Sequence, residues 1–371
     1  MGARRKGGHG LVRPDERLGR PGRTPVVLLR DHDEGTRLMR KLIFYPNLSK
    51  GGVSAVIRGR AQAEPDVQFD TVFLHDRGGS DAFSDLANVQ VRLVQESRSA
   101  PYLTYLAHQF DYESVSVLSH PASANVLSAL DHLAVTYEFH SSSIPVIEKE
   151  LGALELDRLA AVVVPSQIMA REIQPLLPRR LRFRLAVEPN LVDVETFAAQ
   201  GAARFLADSG FADGPATIPL LWIGRFDQGK AYAHFLRVVA ALPQEYVGHV
   251  VVSLEDDPHR AERFFAEAAG LGVLERVRLY LNLTPQALGE FYRSVRDADG
   301  WLVSTSLKES FGYAVAEATN TGLRVAASDL PVWDLFAGTG LVHRVPSGSI
   351  ADLVRVIREG APVSVGATTA G

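Results

Sequence analysis

The chain has 371 residues, of which 46% are hydrophobic and 22% are charged, and its formal net charge is −4. This composition is ordinary for a globular protein and excludes long-range disorder, while the slightly acidic balance argues against a general nucleic-acid binder. No apolar run approaches the ~18–20 residues that a membrane-spanning helix needs, and the lack of cysteine excludes disulfides, cysteine-ligated metals and thiol catalysis.

Residues 1–38 are rich in Gly, Arg and Pro and lack apolar periodicity. They predict a disordered or spurious N-terminal extension, because Met39 directly precedes the first convincing strand. Short Val- and Leu-rich runs then alternate with helical patterns. Strands are predicted at 41–48, 71–76, 114–120, 133–140, 160–166, 218–225, 248–256, 277–282, 300–306 and 323–328. Helices are predicted at 51–63, 121–133, 166–177, 231–243, 261–272, 285–295, 311–320 and 349–359.

Strands that alternate with helices indicate parallel βαβ units, so the fold class is α/β. Gly and Asp clusters without a strand occupy 196–217, which we interpret as a linker. It separates a Rossmann-like domain at 39–195 from a second one at 218–371. Ligands of open parallel sheets bind beyond the carboxyl ends of the strands. We therefore expect the site in a cleft between the two domains.

The first loop of interest is Ser49–Val53, between a predicted strand and its helix. Its glycines, Gly51 and Gly52, allow the backbone to approach a ligand closely, and the following helix N-terminus favours an anion. A tight strand-to-helix turn without a ligand explains the same residues, since a short glycine pair is a weak signal.

The second loop, at 224–230, follows an apolar strand and places Arg225 directly after Gly224 and Lys230 directly after Gly229. Two cations at one loop suit a diphosphate, the Arg through its fork and the Lys as a point charge. It is not a Walker P-loop, because Ala231 follows where that motif needs Ser or Thr. Solvated loop charges are the alternative interpretation.

The third segment holds two carboxylates, Glu309 just after a strand and Glu317 inside the helix that Phe311 or Gly312 begins. Eight helical residues rise about 12 Å at ~1.5 Å each, farther than the ~5–9.5 Å of a glycosidase pair. We interpret them as grips on separate parts of one long ligand, because carboxylates accept paired hydrogen bonds from sugar or ribose hydroxyls. Apolar neighbours of Glu317 argue against a merely exposed helix charge.

These segments resemble motifs of the retaining family-4 glycosyltransferases. The segment from Glu309 to Glu317 resembles that family's E-x7-E signature, the second loop resembles its G-R-x4-K donor-phosphate motif, and residues 187–193 resemble its P-N-G-V-D segment. The resemblance covers roughly residues 41–357. It implies a GT-B fold, in which two Rossmann-like domains face each other across a nucleotide-sugar cleft. In that fold, residues 39–195 would form the acceptor domain and residues 218–371 the nucleotide-sugar donor domain.

The resemblance also implies roles for the matching residues. Arg225 and Lys230 would neutralise the donor diphosphate, and Glu317 would bind the ribose hydroxyls. Glu309 would hold the transferred sugar, together with the backbone amides around Phe311 and Gly312.

Three further matches come from other loops. Gly51 and Gly52 would lie near the donor phosphates, and His140, which follows a first-domain strand, would reach the donor sugar. A lone His is more often structural. Ser310 completes the expected donor-binding segment, although it stands where the family usually has Gly.

Other departures concern Leu191, which replaces the Gly of P-N-G-V-D, and Ala231, where Gly is common. The chain also continues only briefly past Glu359, so the family's last helices, which usually cross back to the first domain, are expected to be shortened or missing.

The implied mechanism is metal-independent transfer with retention of configuration, in which the leaving phosphate helps to deprotonate the acceptor. No cofactor other than the nucleotide-sugar co-substrate is expected. The sequences at 31–33 and 297–299 have the form Asp-x-Asp, but we assign neither to a metal. The acceptor is an unidentified glycan, lipid-linked molecule or small molecule, and a bacterial cell-envelope product is a guess from the breadth of the family.

Residues 179–185 alternate Arg with Leu and Phe, which predicts a half-buried strand with a basic face. That face could contact an anionic membrane or a charged acceptor; a solvated face is the simpler interpretation. We expect a cytoplasmic protein, with peripheral contact at the inner membrane face as an open alternative.

Two other functions stay open at this stage. A degenerate GT-B protein would bind a nucleotide sugar or a partner transferase without catalysis, and a nucleotide-sugar epimerase would share the fold. The intact Arg225, Lys230, Glu309 and Glu317 argue against the first, and the E-x7-E signature argues against the second.

Overall fold

The computed structural model describes residues 38–208, 217–253 and 258–360. The predicted extension, apart from Leu38, lies outside the described residues, as do the 31–33 motif, part of the predicted linker and the residues after 360.

A seven-stranded, fully parallel sheet organises the first part of the chain, in the spatial order β5-β3-β1-β6-β7-β8-β9. A separate two-stranded parallel pair joins β2 and β4. The strands are β1 Arg40–Phe44, β2 Asn47–Leu48, β3 Gln68–Phe73, β4 His75–Asp76, β5 Val89–Leu93, β6 Ser114–Leu118, β7 Val135–Glu138, β8 Ala161–Val164 and β9 Leu185–Val187.

Five α-helices cover this first sheet; they are α1 Gly52–Ala63, α2 Glu96–Gln109, α3 Pro121–Ser128, α4 Ile144–Ala153 and α5 Gln167–Ile173. Short 3-10 turns lie at Leu156–Arg158, Gln174–Leu176 and Arg179–Arg184. The strands of such a sheet are buried on both faces, which explains their nearly continuous Val and Leu runs.

A six-stranded parallel sheet forms the second domain, in the order β12-β11-β10-β13-β14-β15. Its strands are β10 Ile218–Ile223, β11 Tyr246–Val252, β12 Val277–Leu281, β13 Trp301–Ser304, β14 Val325–Ser328 and β15 Val342–Val345. The helices of this part are α6 Phe205–Asp208, α7 Tyr232–Ala241, α8 Pro258–Gly270, α9 Pro285–Asp297, α10 Tyr313–Asn320 and α11 Ile350–Glu359, with 3-10 turns at Leu274–Arg276 and Pro331–Thr339.

Both sheets have a topological switch point. In the first, β1 pairs with β3 on one side and β6 on the other; in the second, β10 pairs with β11 and β13. Loops that leave the carboxyl ends of strands beside such a point form a crevice. The predicted α/β fold with two Rossmann-like domains is confirmed.

The described part of the predicted linker packs on the second domain. The Arg293 guanidinium, on α9, donates hydrogen bonds to the carbonyls of Thr196, Ala198 and Ala202. Phe205, in α6, stacks on Phe291 with ring centroids 4.3 Å apart. These contacts anchor the connection on one side of the cleft.

The prediction of a strand at 179–185 is wrong. Residues Arg179–Arg184 form a 3-10 turn, and only Leu185–Val187 pairs with β8. Arg184 donates hydrogen bonds to the backbone carbonyls of Leu156, Asp157 and Leu159. These bonds turn the chain inward and explain why the predicted strand does not form. Arg180 is paired with Asp157, while Phe183 is 79% exposed. No continuous basic strand face exists here.

None of the helices among the described residues is both long and apolar enough to cross a membrane.

Candidate functional site

A cleft of about 890 Å³ lies between the two sheets and is lined by loops of both domains. The structure brings all of the predicted site residues to this one cleft. They are Gly51, Gly52, His140, Arg225, Lys230, Glu309, Ser310, Phe311, Gly312 and Glu317. Three of the six lysines of the chain also line it, although Arg is the common cation elsewhere.

Several hydrogen bonds cross directly from one domain to the other beside this cleft. Ser166 Oγ donates to the Ser310 carbonyl at 3.3 Å, and Lys50 Nζ donates to the Asn282 carbonyl at 3.2 Å. The Tyr313 hydroxyl donates to the Leu191 carbonyl at 3.3 Å. The two walls of the cleft are therefore in contact at its edges.

Asp227 folds the loop after β10, which carries the two predicted phosphate-binding cations. Its Oδ1 accepts the Lys230 backbone N–H at 2.8 Å, and its Oδ2 accepts Arg225 Nε at 3.0 Å. A Cβ on Gly224 would lie 3.0 Å from Lys230 Cγ, tighter than ordinary packing. The glycine thus lets the Lys230 side chain lie across the loop.

Lys230 Nζ forms an ion pair with Glu309, so the second loop and the third segment meet in space. Ser306 Oγ also donates to Glu309 Oε1, at 2.7 Å. Both members of the pair are mostly buried, with side chains 25% and 12% exposed. The cation and the carboxylate are separated by 79 residues in sequence, yet they stand where adjoining parts of one ligand could contact both.

Gly312 is the N-cap of α10. It has a φ of 85°, in the left-handed region, and a Cβ there would lie 2.9 Å from Trp333 Cη2 and closer still to Cζ3. Only glycine satisfies both conditions. The helix itself starts at Tyr313, whereas the predicted start was Phe311 or Gly312. Tyr313 and Ala314 line the cleft, and first-turn N–H groups lack intrahelical partners and favour anions.

Glu317 is a buried carboxylate without a cationic partner among the described residues. It is 8% exposed, and the hydroxyl of Tyr292 donates to its Oε2 at 2.9 Å. Burial raises the pKa of Glu317 to about 8, although the Tyr292 hydrogen bond opposes the shift. One carboxyl oxygen is thereby held by the protein, and Glu317 lines the cleft.

His140 follows β7 and is positioned by a buried ion pair. Its Nε2 lies 3.0 Å from Glu138 Oε2, and both Glu138 oxygens accept hydrogen bonds from Arg60 at 2.8 Å. Burial alone would raise the pKa of Glu138, but His140 and Arg60 outweigh it and hold that pKa well below its usual range. An ionised Glu138 can only accept hydrogen bonds. We therefore assign the ring proton of His140 to Nε2, and Nδ1 is then the accepting nitrogen.

The glycine loop of the first domain lies close to the second domain. A Cβ on Gly52 would be 3.6 Å from Tyr313 Cδ2, which is ordinary contact. Gly51 is the N-cap of α1 and has an extended backbone. The contacts of the chain itself therefore leave room for a Cβ at position 52.

Four residues of the site were not singled out from the sequence: Asp227, Tyr292, Glu138 and Lys50. Asp227 stood inside a quoted motif but at one of its variable positions. Tyr292 lies on α9, 25 residues before Glu317, and a buried Tyr in a helix gives no sign of its hydrogen-bond partner.

Both acidic residues of the sequence at 297–299 are paired with arginines. Asp297 pairs with Arg296, and Asp299 pairs with Arg324. In the ranges that the structure describes, no group of three His, Asp or Glu side chains could hold a metal ion.

Residues 210–341 match the model of the family described as Glycosyl transferases group 1. No curated protein sequence matches the chain significantly. Among solved structures, HepE from Anabaena in complex with UDP-glucose is similar at a TM-score of 0.71 and 15% identity, over 86% of this chain and 89% of that one.

Two further structures are similar over comparable lengths. Sucrose-phosphate synthase from Thermosynechococcus elongatus has a TM-score of 0.65 and 18% identity, over 86% of this chain and 89% of its own. WaaG, a glycosyltransferase involved in lipopolysaccharide biosynthesis, has a TM-score of 0.61 and 14% identity, over 86% and 90%. The described chain therefore has the GT-B fold, and most of its second domain matches the group 1 glycosyltransferases in sequence.

Proposed function

We propose that the chain is a glycosyltransferase that moves a sugar from a UDP- or GDP-sugar to a glycan, glycolipid or small-molecule acceptor, with retention of configuration. The observation that carries this proposal is the ion pair between Lys230 and Glu309 in the cleft. It joins the two motifs that resemble the retaining family-4 enzymes. In a nucleotide sugar the diphosphate and the transferred sugar are bonded to each other, so their binding groups must be neighbours.

Arg225 and Lys230 would bind the donor diphosphate and stabilise it as it leaves. A departing nucleoside diphosphate gains negative charge, and fixed cations in a sheltered cleft lower the energy of that state. Lys230 exchanges its bond to Glu309 for the phosphate when the donor binds. Because two cations and the first turn of α10 supply this charge, we propose a metal-independent reaction.

Glu317 and Glu309 would bind the two sugar rings of the donor. The oxygen of Glu317 that Tyr292 does not hold accepts ribose hydroxyls, and this contact favours the ionised form of a carboxyl that burial otherwise keeps protonated. Glu309, released from Lys230, accepts hydroxyls of the transferred sugar. Ser310, Phe311 and Gly312 border that sugar with their backbone.

His140 would contact the transferred sugar from the first domain. Its proton on Nε2 is committed to Glu138, so Nδ1 accepts a sugar hydroxyl and orients the anomeric carbon. The acceptor oxygen then bonds to that carbon on the face from which the diphosphate leaves. The acceptor proton passes to the leaving phosphate oxygen, so configuration is retained.

The solved neighbours favour testing UDP-sugars first, since the HepE structure contains UDP-glucose. A cell-envelope polysaccharide or glycolipid as product, and a cytoplasmic location with contact at the inner membrane face, belong to the proposal. The support for such a product is that WaaG is a glycosyltransferase involved in lipopolysaccharide biosynthesis and that WaaB, another similar structure, is a lipopolysaccharide outer core galactosyltransferase.

The proposal is tested by incubating the protein with UDP-glucose, UDP-galactose and GDP-mannose and following donor consumption by proton NMR. We expect release of one nucleoside diphosphate and a product, or a free sugar, whose first-formed anomer matches the donor. Glu309→Gln should abolish release, whereas Glu148→Gln, an exposed carboxylate outside the cleft, should not. An inverted product would contradict retention, and no release from any donor would contradict the transferase.

A further inference from the structure

Lys50 directly precedes the glycine pair of the first domain and bonds to both domains. Its ammonium donates to Asp81 Oδ2 at 3.0 Å and to the carbonyl of Asn282, in the second domain, at 3.2 Å. The side chain of Lys50 is only 10% exposed. Two of its three N–H donors are thus used within the protein, and none of the donor contacts proposed above involves this residue.

The first-domain partner of Lys50 belongs to a turn that packs on the glycine loop. Asp76 Oδ1 accepts the Gly79 N–H at 3.1 Å and shapes the turn. A Cβ on Gly79 would lie 2.5 Å from the backbone nitrogen of Ser49, so the turn and the loop are in direct contact. The hydrogen bond from Lys50 holds the pKa of Asp81 below its usual range. The ammonium therefore has a fixed, ionised partner on this side.

The second-domain partner, Asn282, presents its carbonyl through an uncommon backbone conformation. It follows β12 and has a φ of 51°, a left-handed conformation that Asn adopts more readily than most residues. Its N–H donates to the Val252 carbonyl at 3.0 Å. Two residues on, the Thr284 hydroxyl accepts the Ala287 N–H at 3.2 Å and caps α9. Uncommon backbone that its surroundings hold in place is found most often at functional sites.

Helix α1 begins two residues after Lys50 and carries the group that orients His140. Its Arg60 donates to both oxygens of Glu138 at 2.8 Å, and Glu138 accepts the ring N–H of His140 at 3.0 Å. The helix is 12 residues long, and a packed helix transmits displacement along its length. A contact that holds the start of α1 therefore also holds His140.

A second interdomain contact lies along the same helix. Arg58 donates to the two oxygens of Asp85 at 2.6 and 2.7 Å, and Gln286 of the second domain donates to Asp85 Oδ2 at 3.3 Å. The Asp85 side chain is 44% exposed, so water competes for this bond. The bond from the shielded ammonium of Lys50 is the stronger of the two, because a hydrogen bond gains strength where water is excluded.

Lys50 also differs from Lys230 in the place of its carboxylate partner. Lys230 pairs with Glu309, which itself lines the cleft and can exchange partners with a donor. Asp81 is not among the residues that line the cleft. A donor in the cleft would therefore leave the pair of Lys50 and Asp81 in place.

We propose that Lys50 is a positioning residue, which ties α1 to the loop after β12 and so holds His140 opposite the donor-binding loops of the second domain. The inference rests on the proposed transferase, because it assigns Lys50 an effect on sugar transfer. The nucleotide contacts proposed above all belong to the second domain, so a nucleoside diphosphate binds without this tie. Transfer needs His140 from the first domain and therefore depends on it.

The kinetic test compares Lys50→Ala and Lys50→Arg with Lys149→Ala, which removes an exposed lysine outside the cleft. Donor hydrolysis is followed with whichever of UDP-glucose and GDP-mannose turns over, and kcat and KM are determined separately. UDP and GDP affinities are measured by calorimetry for each variant, and retained affinity shows that a variant is folded.

A second readout is independent of activity. The chain has no cysteine, so spin labels attach specifically to a protein that carries Glu148→Cys on α4 and Glu262→Cys on α8. Both positions are exposed, one on each domain. The distance between the labels is measured by pulsed electron paramagnetic resonance, with and without Lys50→Ala.

We expect Lys50→Ala to lower kcat about tenfold or more, the loss typical of a hydrogen bond from a charged group. Nucleotide affinity should stay within about twofold. Lys50→Arg keeps the charge and several donors, so it should recover part of kcat, and Lys149→Ala should behave as the unmodified protein. The label distance should be narrowly distributed in the parent protein and broader or longer with Lys50→Ala.

The inference is overturned if Lys50→Ala leaves either kcat or the label distance unchanged. It is also overturned if nucleotide affinity falls as much as kcat, because Lys50 would then bind the donor itself. Absence of both nucleotide binding and donor hydrolysis in the unmodified protein contradicts the proposed transferase, whereas the label distance still tests the tie between the domains. The two failures are therefore distinguishable.

Discussion

Replacement of Gly312 by Ala, at the start of α10, should destabilise the folded protein. The residue has a φ of 85°, and an L-residue in the left-handed region costs about 1–2 kcal/mol. The added Cβ would also enter the ring of Trp333, 2.9 Å from Cη2. That ring is 1% exposed and its Nε1 donates to the Ser328 carbonyl at 2.7 Å, so it cannot move freely. Overpacking of this kind costs about 1–3 kcal/mol.

We therefore expect Gly312→Ala to lower the free energy of unfolding by about 2–5 kcal/mol, measured by urea denaturation. The matched control is Gly340→Ala. Gly340 has a φ of 66°, but nothing lies within 4 Å of its added Cβ, so only the backbone cost of about 1–2 kcal/mol applies. Both variants restrict the unfolded chain equally. Equal losses for the two variants would refute the steric role of Trp333.

Three further results are expected at Glu317, Tyr292 and His140. Burial raises the Glu317 pKa from 4.5 to about 8, so between these pH values the folded state holds a proton that the unfolded state loses. The free energy of unfolding should therefore fall as pH rises from 4.5 to about 8, by up to about 1.4 kcal/mol per pH unit. Glu317→Gln should flatten this slope in urea unfolding at several pH values; parallel slopes would refute the assignment. Tyr292→Phe removes the donor that opposes the shift, so the pH dependence of UDP binding, followed by calorimetry, should move upward by about one unit; an unmoved profile would argue against it. His140→Asn should slow sugar transfer about 10- to 100-fold without weakening UDP in the same titration, and weakened UDP would place His140 elsewhere.

Much of the fold followed from periodicity. Central strands such as β10, β11 and β13 are buried on both faces, so their apolar runs are unmistakable. Two edge strands, β5 and β15, were not predicted, since they carry Gln, Arg and His where one face meets water. Helix α2 was not predicted because its sequence is polar and contains Pro101. The helix nevertheless continues through that proline. The prediction for 179–185 was wrong because the alternation of Arg with Leu and Phe gives no sign of the backbone carbonyls that bind Arg184.

The site residues named from the sequence were those with a motif spacing, and they share one cleft. Their supporting residues could not be found in this way. Tyr292, Glu138 and Arg60 act through side-chain contacts between elements far apart in sequence, and such contacts leave no local pattern. The pairing of Lys230 with Glu309 likewise required the second sheet to bring β10 beside β13.

The assignment of Lys230 to a donor diphosphate is tested most directly by calorimetric titration with UDP and GDP. The unmodified protein should bind one of them, and Lys230→Ala should weaken that binding about 10- to 100-fold, as expected when a charged hydrogen-bond partner is lost. Lys149→Ala, which removes an exposed lysine outside the cleft, should bind as the unmodified protein does. Failure of both nucleotides to bind, or unchanged affinity in a folded Lys230→Ala variant, would contradict the assignment.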